Sequence, residues 1–147
     1  VAYVSKKNAA FKKTYVLAED IDLKELWLLE EGHCFRAQTI NLCELKKQTK
    51  EQTNFEYEAG SVETLKKMVE LNNGITILPE LATLDFGTKQ MNMIRRFKTP
   101  APVREVSLVT HRDFLKRNLI DALKEQIINI LPQKLMLNKN KNLVKIQ

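Results

Sequence analysis

Gly32-His33-Cys34-Phe35-Arg36-Ala37-Gln38-Thr39-Ile40-Asn41-Leu42-Cys43 is the stretch whose reading decides the rest. It holds both cysteines of the chain and one of its two histidines. If the segment is helical, nine steps of 1.5 Å separate the two cysteine Cα atoms by roughly 13 Å, on opposite faces. A disulfide tolerates at most about 7 Å between Cα atoms. The segment is therefore either a helix with two thiols or a remodelled loop with one disulfide, and it cannot be both at once.

The residue types differ in what each cysteine is suited to do. A helix starting after Gly32 places Cys34 beside unpaired N–H groups at the positive end of the dipole, which favours the nucleophilic thiolate. His33 and Arg36 add positive charge. Cys43, between Leu42 and Leu45, reads as a buried and inert thiol until it is released. A peroxide would convert the Cys34 thiolate to a sulfenic acid, with which Cys43 could condense to a disulfide. On spacing alone the plainer reading stays open: two free cysteines packed as small hydrophobes.

Working outward, Leu26 to Leu29 reads as a short apolar strand and Glu30-Glu31-Gly32 as the turn after it. The cysteine segment thus follows the carboxyl end of a strand, where open α/β sheets bind ligands. Upstream, Val1 to Val4 is a buried strand with no leading cap. It starts without Met, so the chain is expected to be truncated at its front. Asn8 to Lys13 is a helix or loop, and Glu19 to Glu25 a helical turn capped by Asp20 or Asp22.

Downstream, Gln48 to Asn54 is a polar loop, and Phe55 and Tyr57 alternate with charge as in a strand. Ser61 caps an amphipathic helix with Val62, Leu65 and Val69 on one face, ended by Gly74 in the left-handed conformation. Ile75 to Leu78 is a buried strand, and Pro79 opens a short helix through Leu84. Asp85-Phe86-Gly87 is a turn and Met91 to Ile94 a strand. Pro100 and Pro102 mark a break, the best candidate for a hinge or boundary. Glu105 to Thr110 alternates as a strand. Asp113 caps a helix carrying Leu119, Ile120, Leu123, Ile127, Ile130 and Leu131 on one face, stopped by Pro132. Residues 132–147 form a basic tail expected to fray. Strands alternate with helices throughout, which argues for a parallel or mixed sheet.

At 147 residues, 44% of them hydrophobic, the chain can bury one ordinary core. No apolar run is long enough for a transmembrane helix and none resembles a signal peptide. Two cysteines without a zinc-spaced Cys/His cluster suggest redox-active or free thiols and no metal. The net charge of +6 is spread along the chain, with no basic stripe, so these residues are not expected to bind DNA directly. Trp27 reads as core. His111 reads as a surface residue. No nucleophile elbow or Gly-rich phosphate loop is present.

Gly32-His33-Cys34-Phe35-Arg36, Cys43, Gly60-Ser61-Val62-Glu63-Thr64-Leu65 and Gly74-Ile75-Thr76-Ile77-Leu78-Pro79 together resemble the regulatory domain of the peroxide-sensing, OxyR-type members of the LysR-type transcription regulators. The resemblance covers Val1 to about Leu131. It implies an α/β fold, the type II periplasmic-binding-protein-like effector-binding domain, here incomplete. Residues 1–103 would be the second lobe with the redox switch and 104–131 the return into the first lobe.

The resemblance also implies a peroxidatic Cys34, a resolving Cys43 and a peroxide pocket lined by His33, Arg36 and Arg104. Ala37 stands where the resembled proteins commonly carry Asp. The helix face of Val62, Glu63, Leu65, Lys66 and Val69 would be core in part and dimer interface in part. The implied partners are hydrogen peroxide and further copies of the chain, as a homodimer or homotetramer. DNA would be reached only through a winged helix-turn-helix domain absent from this chain. No cofactor, metal, membrane or enzymatic turnover is implied, and the expected location is the cytoplasm. Two other functions fit the same residues: an effector module binding a small anionic metabolite, and a thiol peroxidase. With most of the first lobe missing, the helix after Asp113 is expected either to fold back in a position foreign to the family or to stay exposed and drive self-association.

Overall fold

The computed structural model describes residues 1–22, 24–31, 34–43, 58–136 and 141–144. Its centre is a mixed sheet. Strands β1 (Ala2–Val4), β2 (Tyr15–Val16), β5 (Ile75–Ile77) and β6 (Ile94–Phe97) run in the order β2-β6-β1-β5. β1 is antiparallel to both neighbours, with Tyr3 opposite Thr76 and Ile94, and β2 is parallel to β6. Beyond β5 a parallel bridge from Leu26 to Ile75 brings in β3 (Leu28–Leu29), which pairs in parallel with β4 (Glu58–Ala59).

The side chains of this sheet divide by alternation. Ala2, Val4, Leu26, Leu28, Ile75 and Ile77 pack into one buried cluster. Tyr3, Trp27, Leu29 and Leu78 pack into another. Both faces are covered, so these strands are apolar on both sides. Helix α1 (Cys34–Leu42) supplies Phe35, Ile40 and Leu42 to the first cluster. Helix α2 (Val62–Leu71) supplies Leu65 and Val69 to the second. The Ser61 hydroxyl caps α2 by accepting from the Thr64 N–H at 3.1 Å, as expected.

Several elements differ from the sequence expectation. Gly74 is not left-handed, and α2 ends at Asn72 with extended backbone. Glycine is required there by contact: a Cβ would lie 2.7 Å from Trp27 Cε2. Residues 88–91 form a helical turn, α3, and the strand begins only at Ile94. Residues 104–110 form no strand, because among the described residues no strand pairs with them; Val106 and Val109 are exposed. Helix α4 (Arg117–Ile130) starts after Lys116, with no side-chain cap, and not at Asp113. Its apolar face is open, with Leu119 61% and Ile130 79% exposed.

The tail does not fray throughout. A short helix, α5 (Gln133–Met136), precedes β8 (Lys141–Leu143), which pairs in parallel with β7 (Ala101–Val103). β7 offers a free edge there, and the Val144 N–H extends the ladder by donating to Val103 O at 3.0 Å. The expected loop at Gln48 to Asn54 and the strand at Phe55 and Tyr57 lie outside the described residues. Among the described residues, no helix is long and apolar enough to cross a membrane.

Candidate functional site

Cys34 is the first residue of α1, with an exposed free thiol at the point where the chain leaves β3. Thr39 Oγ1 donates to Phe35 O at 3.0 Å, and the Cys43 N–H donates to Thr39 O at 3.2 Å, carrying the helical pattern to the second cysteine. With the intervening residues helical, the two thiols stay roughly 13 Å apart at the Cα atoms, beyond disulfide reach. Both cysteines are free, so this is the dithiol state. Cys43 is half-buried against the first cluster, and burial pushes its thiol up from 9.0 to about 12. It is therefore a protonated, poor nucleophile while α1 is helical.

Arg104 follows β7, seventy positions from Cys34, yet its Nη2 lies 3.4 Å from Cys34 Sγ. The same guanidinium stands 5.9 Å above the Phe35 ring, within cation–π range. A cation is thus placed where a thiolate, or charge developing on a peroxide oxygen, would be stabilised.

Arg36 is engaged elsewhere. Its Nη1 donates to Leu29 O at 2.7 Å and meets Glu58 Oε1 at 2.6 Å, with the side chain only 12% exposed. It ties α1 to the ends of β3 and β4. His33 lies outside the described residues. On α2, Leu65 and Val69 are buried in this chain's own core, so they do not belong to an open face; Val62, Glu63 and Lys66 retain exposure. Lys66 Nζ stands 4.6 Å over the Phe86 ring. His111 is largely exposed, 3.7 Å from Asp113 Oδ2.

Sequence reasoning passed over Gln38. It is 6% exposed on the inner face of α1, and its Oε1 has no hydrogen-bond partner. The available signal was positional: with Phe35 and Leu42 it makes the i, i+3, i+7 row that faces the sheet. Among the described residues no three His, Cys, Asp or Glu side chains stand together as a metal site.

The LysR substrate binding domain model matches residues 1–131. The chain belongs to the LysR substrate-binding domain family. Its fold is accordingly the type II periplasmic-binding-protein-like one. A protein of Haemophilus influenzae named hydrogen peroxide-inducible genes activator is 35% identical over 112 residues, covering 74% of this chain and 36% of that protein. The HTH-type transcriptional regulator EstR of Acinetobacter baylyi is 34% identical over 95 residues, covering 64% of this chain and 31% of that protein. The chain thus spans about a third of the length of these curated relatives. A crystal structure of an OxyR mutant from Porphyromonas gingivalis matches with a TM-score of 0.81 at 30% identity, covering 96% of this chain and 64% of that one. That coverage leaves fewer residues over than α4 contains, so at least part of α4 lies within the match.

Proposed function

We propose that this chain is the sensing part of a LysR-type regulator that responds to hydrogen peroxide through Cys34 and Cys43. What carries the reading is the meeting of Arg104 with Cys34 at one end of α1, with the second thiol at the other end. The Haemophilus influenzae relative named for peroxide induction supports it.

The Cys34 thiolate attacks one peroxide oxygen, the O–O bond breaks, and the departing hydroxide takes up a proton as water. Cys34 becomes a sulfenic acid. Once α1 unwinds, Cys43 loses the burial that holds its proton. Its thiolate attacks Cys34 Sγ, the S–O bond breaks and a second water leaves. The disulfide cannot coexist with the helix, so oxidation becomes a change of shape. Arg104 stabilises the charge in the first step; Arg36 and His33 complete the pocket, Arg36 by fixing α1 on β3 and β4. In this reading residues 1–103 form one lobe and 104–131 return to the other. Val62, Glu63 and Lys66 contribute to pairing with a second copy, as a homodimer or homotetramer. DNA is contacted by a winged helix-turn-helix domain that these 147 residues do not contain.

The relative named EstR, not named for peroxide, favours a second reading: an effector module for a small anionic metabolite, with Cys34 incidental. Titration of the reduced chain with hydrogen peroxide separates the two, and separates both from a thiol peroxidase. One equivalent consumed, with loss of two hydrogens by mass, is the expected result. Cys34→Ser should consume none, Cys43→Ser should stop at the sulfenic acid, and Arg104→Ala should react more slowly. No reaction in the unmodified chain rejects the sensor reading. Sustained consumption with a reductant points to the peroxidase.

A further inference from the structure

The end of the chain comes back to the redox segment. β8 pairs with β7 from Lys141 opposite Ala101 to Leu143 opposite Val103. Val144 then bonds in two directions through its backbone. Its N–H donates to Val103 O at 3.0 Å, and its carbonyl accepts from Gln38 Nε2 at 3.5 Å. Phe35, Gln38 and Leu42 of α1 share the wall of one small cavity with Val103 and Val144. Val144 thus joins β7 to α1. It lies beyond residues 1–131, the part that the family model matches.

The position of Gln38 gives this contact its meaning. Gln38 is four residues after Cys34 and five before Cys43, in the middle of the segment that a disulfide must remodel. It is 6% exposed, so its amide has little water to turn to. Opening α1 either carries Gln38 away from Val144 or pulls β8 off β7. Both break hydrogen bonds that the helical form keeps.

We propose that β8 is a strap: paired with β7, it holds α1 helical and so slows closure of the Cys34–Cys43 disulfide. The second half rests on the redox reading above. In closure the Cys43 thiol bonds to Cys34 Sγ of the sulfenic acid, and the hydroxyl leaves with the thiol proton as water. The two sulfurs meet only after α1 opens. Losing one hydrogen bond shifts such an opening equilibrium by about 2- to 13-fold. A two-stranded ladder of three residues a side is marginal by itself, so the strap can be released.

The test uses two variants of the reduced chain. Val144→Pro lacks the N–H that reaches Val103 O, and it favours the extended backbone that Leu143 already has. Deletion of residues 141–147 removes the strap outright, and it decides where the two variants differ. Hydrogen exchange is read first. Faster exchange of the α1 amides, by about 2- to 13-fold with the α2 amides unchanged, supports the strap. Unchanged α1 exchange overturns it. Equal acceleration of α1 and α2 overturns it too, because that is a loss of stability throughout. The rate of disulfide closure is read second, at hydrogen peroxide concentrations where it no longer rises with concentration, so that the step forming the sulfenic acid drops out. Faster closure without the strap supports the second half, and an equal or slower rate overturns it. If peroxide forms no disulfide at all, the redox reading fails and the second half with it, while the exchange result still decides whether β8 holds α1.

Discussion

Helices α2 and α4 carry the same kind of pattern and meet opposite fates. α2 buries Leu65 and Val69 completely against Tyr3, Trp27 and Leu29. α4 is longer, with fourteen residues and as clear an apolar face, yet none of its residues is buried. An apolar stripe specifies a helix and which side of it seeks cover; it does not supply the cover. α2 packs on the sheet face that carries Tyr3, Trp27 and Leu29. Among the described residues nothing buries the apolar face of α4, and its large side chains stand exposed.

The largest test of that contrast is a matched pair. Leu65→Ala should cost about 2–5 kcal/mol, because it opens a cavity in a close-packed cluster. Leu123→Ala should stay within about 0.5 kcal/mol, since its side chain is already half in water. Urea unfolding of both variants measures the difference, and equal losses would mean that α4 is covered in solution.

Gly74→Ala should cost about 1–3 kcal/mol, because the new Cβ meets the Trp27 ring and neither can withdraw from a packed cluster. A shift in the urea midpoint without a change in slope is the expected form.

Cys43 brings a pH dependence to the α1 side of the core. Its thiol stays protonated to about pH 12 when folded and ionises near 9 when unfolded. The folded state therefore binds the extra proton between those values, and stability falls as pH rises above 9. The slope should be at most about 1.4 kcal/mol per pH unit. Melting curves between pH 8 and 11 should show this fall in the reduced chain and its loss in Cys43→Ala.

The smallest effect concerns the helix ends. Ser61→Ala removes a cap that accepts from Thr64 and should cost about 1 kcal/mol. Circular dichroism with urea melting checks it. Lys116, which caps α4 with no side-chain bond, offers nothing comparable to lose.

What was legible in the sequence divides along the same line. Local chemistry was readable: Ser61 as a cap, Trp27 as core, Val1 to Val4 and Ile75 to Leu78 as buried strands, Cys34 at a helix start. Features that depend on a distant neighbour were not. The reason for Gly74 is the Trp27 ring, and not a backbone conformation. Residues 105–110 alternate as a strand does but, among the described residues, have no strand to pair with. β8 forms because β7, forty positions earlier in the chain, leaves an edge open. In the site, the incompatibility of a Cys34–Cys43 disulfide with a helix followed from spacing. The place of Arg104 came from resemblance, since nothing local relates it to Cys34. The buried amide of Gln38 depends on how α1 lies on the sheet.

The central claim is that α1 and the Cys34–Cys43 bond exclude each other. Hydrogen exchange of the backbone amides from Phe35 to Cys43, before and after one equivalent of hydrogen peroxide, tests it most directly. Protection across these residues should be lost on oxidation while that of β1, β5 and α2 is kept. A disulfide formed with the α1 amides still protected would contradict it.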